Sequence, residues 1–420
     1  MKQNDFGKTF TNGREMKYSS EMIRKYEAPE YRKAAEEYER KAIRERRIRN
    51  EDPEGYLRSK DEKKRFEEDG VRTVKNRKGK KKKHGKRKIF RNVIIFIIIL
   101  LAVFLAYFFI ITSRFDKVTT DEDQFAINSQ SADSLRGYRN IAVLGTDSRR
   151  GEGYDGSRTD AIIIISIKKS SGDINMISVM RDSYLKLADA DGSLKLDKIT
   201  HAHHYGGGAD TCAALNRSLD LNIKEFMIFN WEAVSDAVDT LGGIEIDVKP
   251  NELRDMNKWG PETAENTGGK YTRVKHPGKQ MFDGVQATTY CRIRKTSGGD
   301  KGRGERYKKV TSAVMLKAIS SPVKLNALSR KVFPKIRTNM TQLQFLTAAV
   351  RAPGYDIKKN LSWPKNYYGG LLSGRWYAVP RTLVWNVSWL HKKAFAQPGY
   401  VPSSKCRSIS DEIINTTGIQ

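Results

Sequence analysis

Two aspartates flank a short arginine-rich stretch between two apolar runs of the sequence. The stretch DSRRGEGYDGSRTD begins at Asp147 and ends at Asp160, after the run IAVLG and before AIIIISI. Two carboxylates at neighbouring strand ends repel each other unless a divalent cation lies between them, and oxygen ligands favour magnesium, with manganese as an alternative. We therefore expect Asp147 and Asp160 to be metal ligands.

Arginines form the second chemical pattern. Arg292 and Arg294 are two apart in YCRIRK, which we predict to be a strand, so both side chains would point to one face. Adjacent guanidiniums repel each other unless a multivalent anion bridges them, and their planar fork fits phosphate oxygens. Further ionisable residues gather at predicted strand ends or shortly after the YCRIRK segment: Arg158, Arg181, Asp182, Asp300, Arg303 and Arg306.

Carboxylates that hold a metal and arginines that hold an anion together predict a diphosphate site that works by electrostatic clamping, as in phosphoryl transfer. The alternative for any one of these residues is a surface ion pair, which is common and contributes little to stability. Their clustering at strand ends favours the site.

The apolar runs that carry these residues predict a layered domain. NIAVLG, AIIIISI, INMISVM, EFMIFN, IEIDV and ATTYCRI are short and rich in strand formers, and several do not alternate, which indicates strands buried on both faces. Helical patterns lie between them in TCAALNRSLDL, WEAVSDAVDTLGG and ERYKKVTSAVMLKAI. This interspersion predicts an α/β or α+β domain over residues 138–320.

Residues 321–420 predict a C-terminal helical extension and tail. Helical patterns continue in VKLNALSRKVFPKI and TQLQFLTAAV, and a final hairpin or helix is expected in SGRWYAVP and NVSWLHKKAF. We expect the chain after Pro402 to be frayed.

A transmembrane helix is predicted at residues 93–112. This segment has no charged residue, Pro or Gly, and at about 1.5 Å per residue its length matches a bilayer core of about 30 Å. A buried core helix and a cleaved signal peptide are the weaker alternatives. Residues 72–91 hold 12 Lys and Arg, whereas residues 113–132 hold only Arg114 and Lys117. The positive-inside rule therefore predicts residues 1–92 in the cytoplasm, and a polar stalk at 113–137 leading to an extracytoplasmic domain.

The net charge of +28 invites a nucleic-acid interpretation, but half of the excess lies in residues 1–91, which hold 31 Lys and Arg against 17 Asp and Glu. We interpret the basic run beside the membrane as a topology signal that contacts anionic lipids, and we expect no nucleic-acid partner. The rest of this basic, charged tail is interpreted as a solvated spacer whose partner is unknown.

Cysteines and histidines add little to this interpretation. Three cysteines, Cys212, Cys291 and Cys406, cannot form a complete disulfide framework. The tract HAHH at residues 201–204 is a weak candidate for metal binding, because the adjacent His203 and His204 do not share one helix face.

Six segments, in order along residues 138–320, resemble the LytR-CpsA-Psr family: NIAVLGTDSR, SRTDAIIIISI, ISVMRDSYLKL, LDKITHAHHYGG, VDTLGGIEIDV and FDGVQATTYCRIRKTSGGDKGRGERYKKV. The resemblance implies a three-layer α/β/α sandwich with a central mixed sheet, preceded by a single transmembrane helix, and an apolar tunnel for a polyprenyl tail. It also implies a membrane-anchored extracytoplasmic phosphotransferase. Such an enzyme moves a glycopolymer, teichoic acid or capsular polysaccharide, from an undecaprenyl-diphosphate carrier to peptidoglycan.

The same resemblance implies roles for individual residues. Asp147 and Asp160 match aspartates that hold magnesium, and Asp300 matches an acid that is our candidate base for the acceptor hydroxyl. Arg181 is a candidate for both catalysis and diphosphate binding. The family usually has proline where this chain has Met180, and glutamine where it has Tyr307. The arginines that match diphosphate ligands are Arg158, Arg181, Arg292, Arg294 and Arg303.

Two other functions remain open from the sequence. A membrane-bound regulator or sensor would bind the ligand without needing the full set of acids and arginines. A polyprenyl-diphosphate hydrolase would use the same metal and anion site with water as the acceptor.

Overall fold

The structure, a computed structural model, describes residues 10–11, 14–15, 29–293 and 299–420. The chain divides into two units, Met1–Leu101 and Ala102–Gln420. Of the predicted site residues, Arg294 lies outside the described residues, and so does the side chain of Asp300.

The first unit contains two short strands and charged helices. Strands β1 (Phe10–Thr11) and β2 (Arg14–Glu15) pair antiparallel. Helix α1 covers Pro29–Glu51, and α2 covers Pro53–Thr112, ending within the second unit.

The apolar part of α2, Lys88–Thr112, is long and apolar enough to cross a membrane. Only 11% of its most apolar window is buried inside the protein, whereas the core helix of a soluble domain would be mostly buried. The predicted apolar helix is therefore confirmed as a candidate membrane span.

The second unit alternates strands and helices. Its strands are β3 (Asp116–Lys117), β4 (Tyr138–Thr146), β5 (Thr159–Lys168), β6 (Asp173–Val179), β7 (Tyr184–Ala188), β8 (Leu194–Lys198), β9 (Glu225–Phe229), β10 (Ile244–Val248), β11 (Gly278–Phe282), β12 (Ile336–Thr338), β13 (Asp356–Trp363), β14 (Tyr367–Leu372) and β15 (Arg375–Pro380). Its helices are α3 (Ser129–Ser134), α4 (Thr200–Leu219), α5 (Trp231–Thr240), α6 (Leu253–Thr267), α7 (Gly284–Arg292), α8 (Gly299–Ser320), α9 (Leu325–Lys331), α10 (Gln342–Arg351), α11 (Leu383–Ala394) and α12 (Ser404–Thr417).

A seven-stranded mixed sheet in the order β13-β6-β5-β4-β9-β12-β3 forms the centre of this unit. The pairs β4–β5, β5–β6 and β9–β12 are antiparallel, and β4–β9, β6–β13 and β3–β12 are parallel. Three antiparallel pairs, β7–β8, β10–β11 and β14–β15, lie outside it.

The central strands are buried on both faces because helices cover both sides. In β4, Ala142 and Leu144 join a cluster that includes residues of α4, α11 and α12, whereas Ile141 and Val143 join a second cluster that includes side chains of α8 and α10. Successive strand residues point to opposite faces, so this division places one helical layer on each side. The predicted three-layer α/β/α sandwich with a mixed sheet is confirmed.

One predicted strand is wrong, because ATTYCRI lies in helix α7 except for its last residue, Ile293, which follows the end of the helix. Asp283 caps this helix, and its side chain accepts a hydrogen bond from the backbone N–H of Gln286 while the Gln286 side chain accepts one from the backbone N–H of Asp283. This reciprocal cap starts a helix, which outweighs the strand preference of the Thr and Tyr residues that follow. Arg292 is therefore the last residue of a helix.

The segments before residue 138 and after residue 320 also contribute to the packed unit. Within the predicted stalk, Asp116–Lys117 pairs with β12, and Phe125 is buried in the main core. Strands β12 and β13 extend the sheet beyond residue 320. The chain after Pro402, expected to be frayed, instead forms α12, whose Cys406, Ile409 and Ile413 are buried in the core.

Candidate functional site

The predicted acids and arginines meet where three neighbouring strands begin or end. Strand β4 ends at Thr146, next to the start of β5 at Thr159, and Val179 at the end of β6 pairs with Ile162 of β5. Because adjacent strands are antiparallel, the chain brings Asp147, Asp160 and Arg181 to the same edge of the sheet.

Asp160 lies between two arginines. Arg181 Nη1 donates to Asp160 Oδ1 at 2.5 Å, and Arg303 Nη1 lies 3.9 Å from Asp160 Oδ2. The side chains of Asp160 and Arg303 are only 11% and 3% exposed. Because screening by water is weak at such burial, this carboxylate helps to hold the two guanidiniums near each other.

Arg181 is anchored from its other side as well. Its Nε donates to Asp182 Oδ2 at 3.2 Å, and Lys198 Nζ lies 3.1 Å from Asp182 Oδ1. Asp182, which is 7% exposed, thus links strand β8 to the loop after β6. The alternation of charge along Lys198, Asp182, Arg181 and Asp160 fixes the direction of the Arg181 guanidinium.

Asp147 and Arg158 lie on the exposed rim and fasten the two ends of the loop between β4 and β5. The Arg158 backbone N–H donates to Asp147 Oδ1 at 2.9 Å, and the Asp147 N–H donates to the Arg158 carbonyl at 3.0 Å. These two bonds join Asp147 to Arg158, two residues before Asp160, so both acids lie at the same end of the β4–β5 pair. The Arg158 side chain itself is exposed.

Arg292 is held by helix α6 and an aromatic ring. Its Nη1 donates to Thr263 Oγ1 and its Nη2 to Glu262 Oε1, each at 2.7 Å. The guanidinium carbon lies 4.1 Å from the centroid of the Trp231 ring. Since Arg292 closes a helix, the predicted strand geometry with Arg294 does not apply.

A cavity of about 370 Å³ connects Arg292 to the Asp160 group. It is lined by Asp160, Trp231, Lys258, Trp259, Arg292, Arg303 and Tyr307. Trp231, Lys258, Trp259 and Tyr307 were absent from the residues predicted from sequence. The segment FNWEAVSDAV, which includes Trp231, was however a sequence-based candidate for lining an apolar tunnel, and Trp231 and Val234 do line the apolar cavity described next. No pattern in the sequence pointed to Trp259 or Lys258.

Two smaller cavities adjoin the first one. One, of about 20 Å³, lies beside Asp160 and is lined by Arg181, Lys301 and Arg303 among others. The other, of about 30 Å³, is mainly apolar, with Phe229, Val234 and Val310 in its wall. Tyr307 lines all three cavities. The site therefore joins a cationic end to an apolar end, which fits an amphipathic ligand with an anionic head.

Arg306 has a structural position. Its Nη1 lies 3.3 Å from Glu252 Oε1, both side chains are 3% exposed, and its Nη2 donates to the carbonyl of Ile293. These contacts tie α8 to the end of α7 and the start of α6.

The carboxylates of Asp147 and Asp160 are of the ligand type that magnesium takes from proteins, although Asp147 Oδ1 accepts the Arg158 N–H and Asp160 pairs with Arg181. Magnesium commonly binds one or two carboxylates and completes its shell with water and substrate phosphates. Within the described ranges, no group of three or more His, Cys, Asp or Glu side chains is arranged to hold a metal ion. The three histidines of HAHH have separate contacts, since His201 meets Asp197 Oδ2, His203 the Ser157 carbonyl and His204 the Gly156 carbonyl.

The fold and the site define a class: an α/β sandwich with acids and arginines at one sheet edge, above a partly apolar cavity. The chain belongs to the LytR_cpsA_psr family, whose model matches residues 105–383. A second family model, described as penicillin-binding protein 2a activator MacP, matches residues 11–112.

Two curated relatives are from Bacillus subtilis (strain 168), and both are named polyisoprenyl-teichoic acid–peptidoglycan teichoic acid transferase. TagU is 28% identical over 229 residues, which are 54% of this chain and 66% of TagU. TagT is 31% identical over 182 residues, 43% of this chain and 52% of TagT. The chain thus spans between about half and two thirds of these relatives. A solved structure from Streptococcus agalactiae shares the fold, with a TM-score of 0.53, 21% identity and coverage of 66% of this chain and 94% of that one.

Proposed function

We propose that this protein is a membrane-anchored extracytoplasmic transferase that moves a glycopolymer from a polyprenyl-diphosphate carrier to peptidoglycan. The observation that carries the proposal is the position of Asp160 between Arg181 and Arg303, in the wall of a cavity that is also lined by aromatic rings and further cations. The names of the teichoic acid transferases TagU and TagT, relatives over the same domain, support it. An undecaprenyl carrier, and teichoic acid or capsular polysaccharide as cargo, are the finer parts of this proposal.

The reaction is a phosphoryl transfer in which the arginines bind the diphosphate. The acceptor hydroxyl attacks the phosphorus nearest the glycopolymer, a phosphodiester forms, and the bond to the lipid-side phosphate breaks, so that polyprenyl monophosphate leaves. Arg181 stabilises the charge that develops on the phosphate oxygens, whereas Arg292 and Arg303 hold the diphosphate. The proton of the acceptor goes to a base, for which Asp300 is the candidate.

Asp147 and Asp160 would hold magnesium, or manganese, beside the diphosphate. When bound, the metal neutralises phosphate charge and polarises the bond that breaks. Because Asp160 also pairs with Arg181 and Arg303, an anionic diphosphate would compete with this carboxylate for the two guanidiniums. The carboxylate thus keeps the two guanidiniums together until the anion arrives.

The test is a turnover assay with the full chain in detergent or vesicles, a synthetic polyprenyl-diphosphate glycan and peptidoglycan oligomers. A phosphodiester-linked conjugate that requires a divalent cation supports the transferase. Release of lipid phosphate or diphosphate without conjugate would instead establish the hydrolase. Binding of the lipid-linked glycan without turnover would favour the membrane-bound regulator or sensor.

We also propose that residues 11–112 bind a penicillin-binding protein. The match to the penicillin-binding protein activator model over this segment carries the proposal. The segment consists largely of charged helices whose described apolar side chains include the exposed Tyr38, Ile43 and Leu57. Such a contact would place glycopolymer attachment next to newly made peptidoglycan.

Cross-linking in cells, with photoreactive residues at Tyr38 or Leu57, tests this second proposal. A cross-link to a penicillin-binding protein supports it, and the matched control is a probe at the exposed Leu371 of the second unit. Absence of any cross-link from several tail positions would remove it.

A further inference from the structure

Helix α10 has an apolar face without a packed partner in the described protein. None of its ten residues is buried, and Leu343 and Val350 are 64% and 70% exposed. Leu346 and Val350 follow Leu343 by three and seven positions, so the three side chains lie on one side of the helix. Its first turn is well formed, because Thr341 and Gln344 make a reciprocal cap.

The end of the candidate membrane span lies against the start of this helix. Gln342 Nε2 donates to the Phe109 carbonyl at 3.0 Å, in the last turn of α2. In the same turn Phe108 and Ile111 are buried, whereas Ile110 is 57% exposed. The last turn of the span is therefore packed onto the domain on one side only.

Residues just after the span make this junction rigid. The Phe115 ring stacks on Phe333 at 4.1 Å and on Phe345 of α10 at 4.4 Å between centroids. Arg114 Nη1 donates to Ser329 Oγ of α9 at 2.7 Å. Helices α9 and α10 are thus fixed beside the point where the chain leaves the apolar span.

Exposed cations occur on both α9 and α10 at this junction. Arg330 and Lys331 follow Ser329 on α9, and Arg351 follows Val350 on α10. All three are exposed, and none of them has an ion pair with another described residue. An exposed apolar helix face accompanied by cations without an ion pair is typical of a helix that lies in the interface of an anionic membrane.

We propose that α10 lies in the membrane–water interface on the extracytoplasmic side of the membrane. Leu343, Leu346 and Val350 would lie among the lipid chains. The cations Arg351, Arg330 and Lys331 would lie at anionic headgroups. The inference rests on the membrane anchoring within the proposed function. Its partner is the lipid surface, because the apolar face is continuous with the end of the span. The contact would fix the orientation of the catalytic domain on the membrane.

The test uses the full chain in vesicles of phosphatidylcholine and phosphatidylglycerol, with one introduced cysteine labelled by an environment-sensitive fluorophore. The three native cysteines are buried, so an exposed cysteine is labelled selectively. Leu343→Cys and Val350→Cys report on α10. Phe104→Cys reports on the span, and Leu371→Cys, 67% exposed and following the opposite edge strand β13, is the matched control.

We expect lipids brominated on their acyl chains to quench the labels at positions 104, 343 and 350 but not at 371. Quenching at 104 without quenching at 343 and 350 would overturn this inference and leave the anchoring intact. Loss of quenching at 104 would overturn the anchoring itself. The labels at 343 and 350 could instead be shielded from water only when many protein molecules share a vesicle, without quenching by brominated lipid. That result would assign the apolar face to a second copy of the chain and would also overturn the inference.

Discussion

Asp160 and Arg181 approach to 2.5 Å although 20 residues separate them in sequence, because the β5–β6 hairpin returns the chain to the same sheet edge. Arg303 reaches the same carboxylate from α8. One acid thus holds two cations from different layers of the fold. An anionic ligand can replace the carboxylate as their common partner without large movement.

Asp160→Asn should separate anion binding from catalysis. The amide removes a negative charge beside the buried Arg303 and the half-buried Arg181 guanidiniums, so we expect diphosphate binding without metal to be retained or strengthened. Turnover should fall by about 10²-fold or more, since a metal ligand and a charge-positioning group are lost. Calorimetric titration with polyprenyl diphosphate, with and without magnesium, measures both effects.

Asp155→Asn is the control, because Asp155 is an exposed acid in the same loop that pairs with Arg337. It should leave turnover and magnesium dependence unchanged. Full metal-dependent turnover in the Asp160 variant would exclude Asp160 from the metal site.

Arg292→Lys should weaken substrate binding more than it slows turnover at saturation. Lysine cannot reproduce the paired contacts with Thr263 and Glu262 or the stacking on Trp231. Loss of one charge-assisted contact of about 1.5–3 kcal/mol raises the Michaelis constant roughly tenfold or more. Steady-state kinetics with the lipid-linked donor check this split.

Arg254→Lys is the comparison, as an arginine of the same helix α6 that lines none of the three site cavities. If the Arg292 variant bound the lipid-linked donor substrate as tightly as the unaltered protein, the Arg292 guanidinium would serve the structure and not substrate binding.

Local patterns predicted the sheet edge because the site acids and Arg181 directly adjoin long apolar runs. The same reasoning failed for Arg292, where Thr288, Thr289 and Tyr290 resemble a strand but the Asp283 cap begins a helix. A cap of two residues outweighed the preference of the residues after it.

The aromatic part of the site could not be predicted, because Trp231 and Trp259 lie on different helices whose packing depends on long-range contacts. Helix α12 had a usable signal, since Cys406, Ile409 and Ile413 follow helical spacing. Most other residues of this segment are polar, so the apolar spacing was not recognised as a helix that packs on the core. The buried Phe125 shows similarly that a polar segment can be fixed by one aromatic anchor.

His203→Asn should reduce the loss of stability on mild acidification. Burial lowers the pKa of His203 below its ordinary 6.5, because shielding from water disfavours the charged ring; the hydrogen bond with the Ser157 carbonyl opposes this shift only in part. The unfolded chain therefore binds a proton that the folded chain resists. The stabilisation is complete above pH 6.5 and decreases as the pH falls below it, by up to about 1.4 kcal/mol per pH unit.

Unfolding by urea at several pH values between neutral and mildly acidic tests this dependence. Asparagine keeps an N–H donor for the Ser157 carbonyl without a titrating group, so its unfolding free energy should vary less with pH. Exposed His276→Asn is the control and should follow the unaltered protein. Equal slopes for the His203 variant and the unaltered protein would contradict the assignment.

Ile413→Ala should show that the C-terminal helix is part of the core of the domain. Ile413 is 1% exposed and packs in the cluster that α4 shares with the central sheet. Removing its buried methyl groups should lower the free energy of unfolding by about 2–5 kcal/mol, because the cavity cannot collapse fully. Ile414→Ala, on the partly exposed side of the same helix, should cost less than half as much. Urea denaturation of both variants gives the comparison, and equal small losses would mean that α12 is dispensable for the fold.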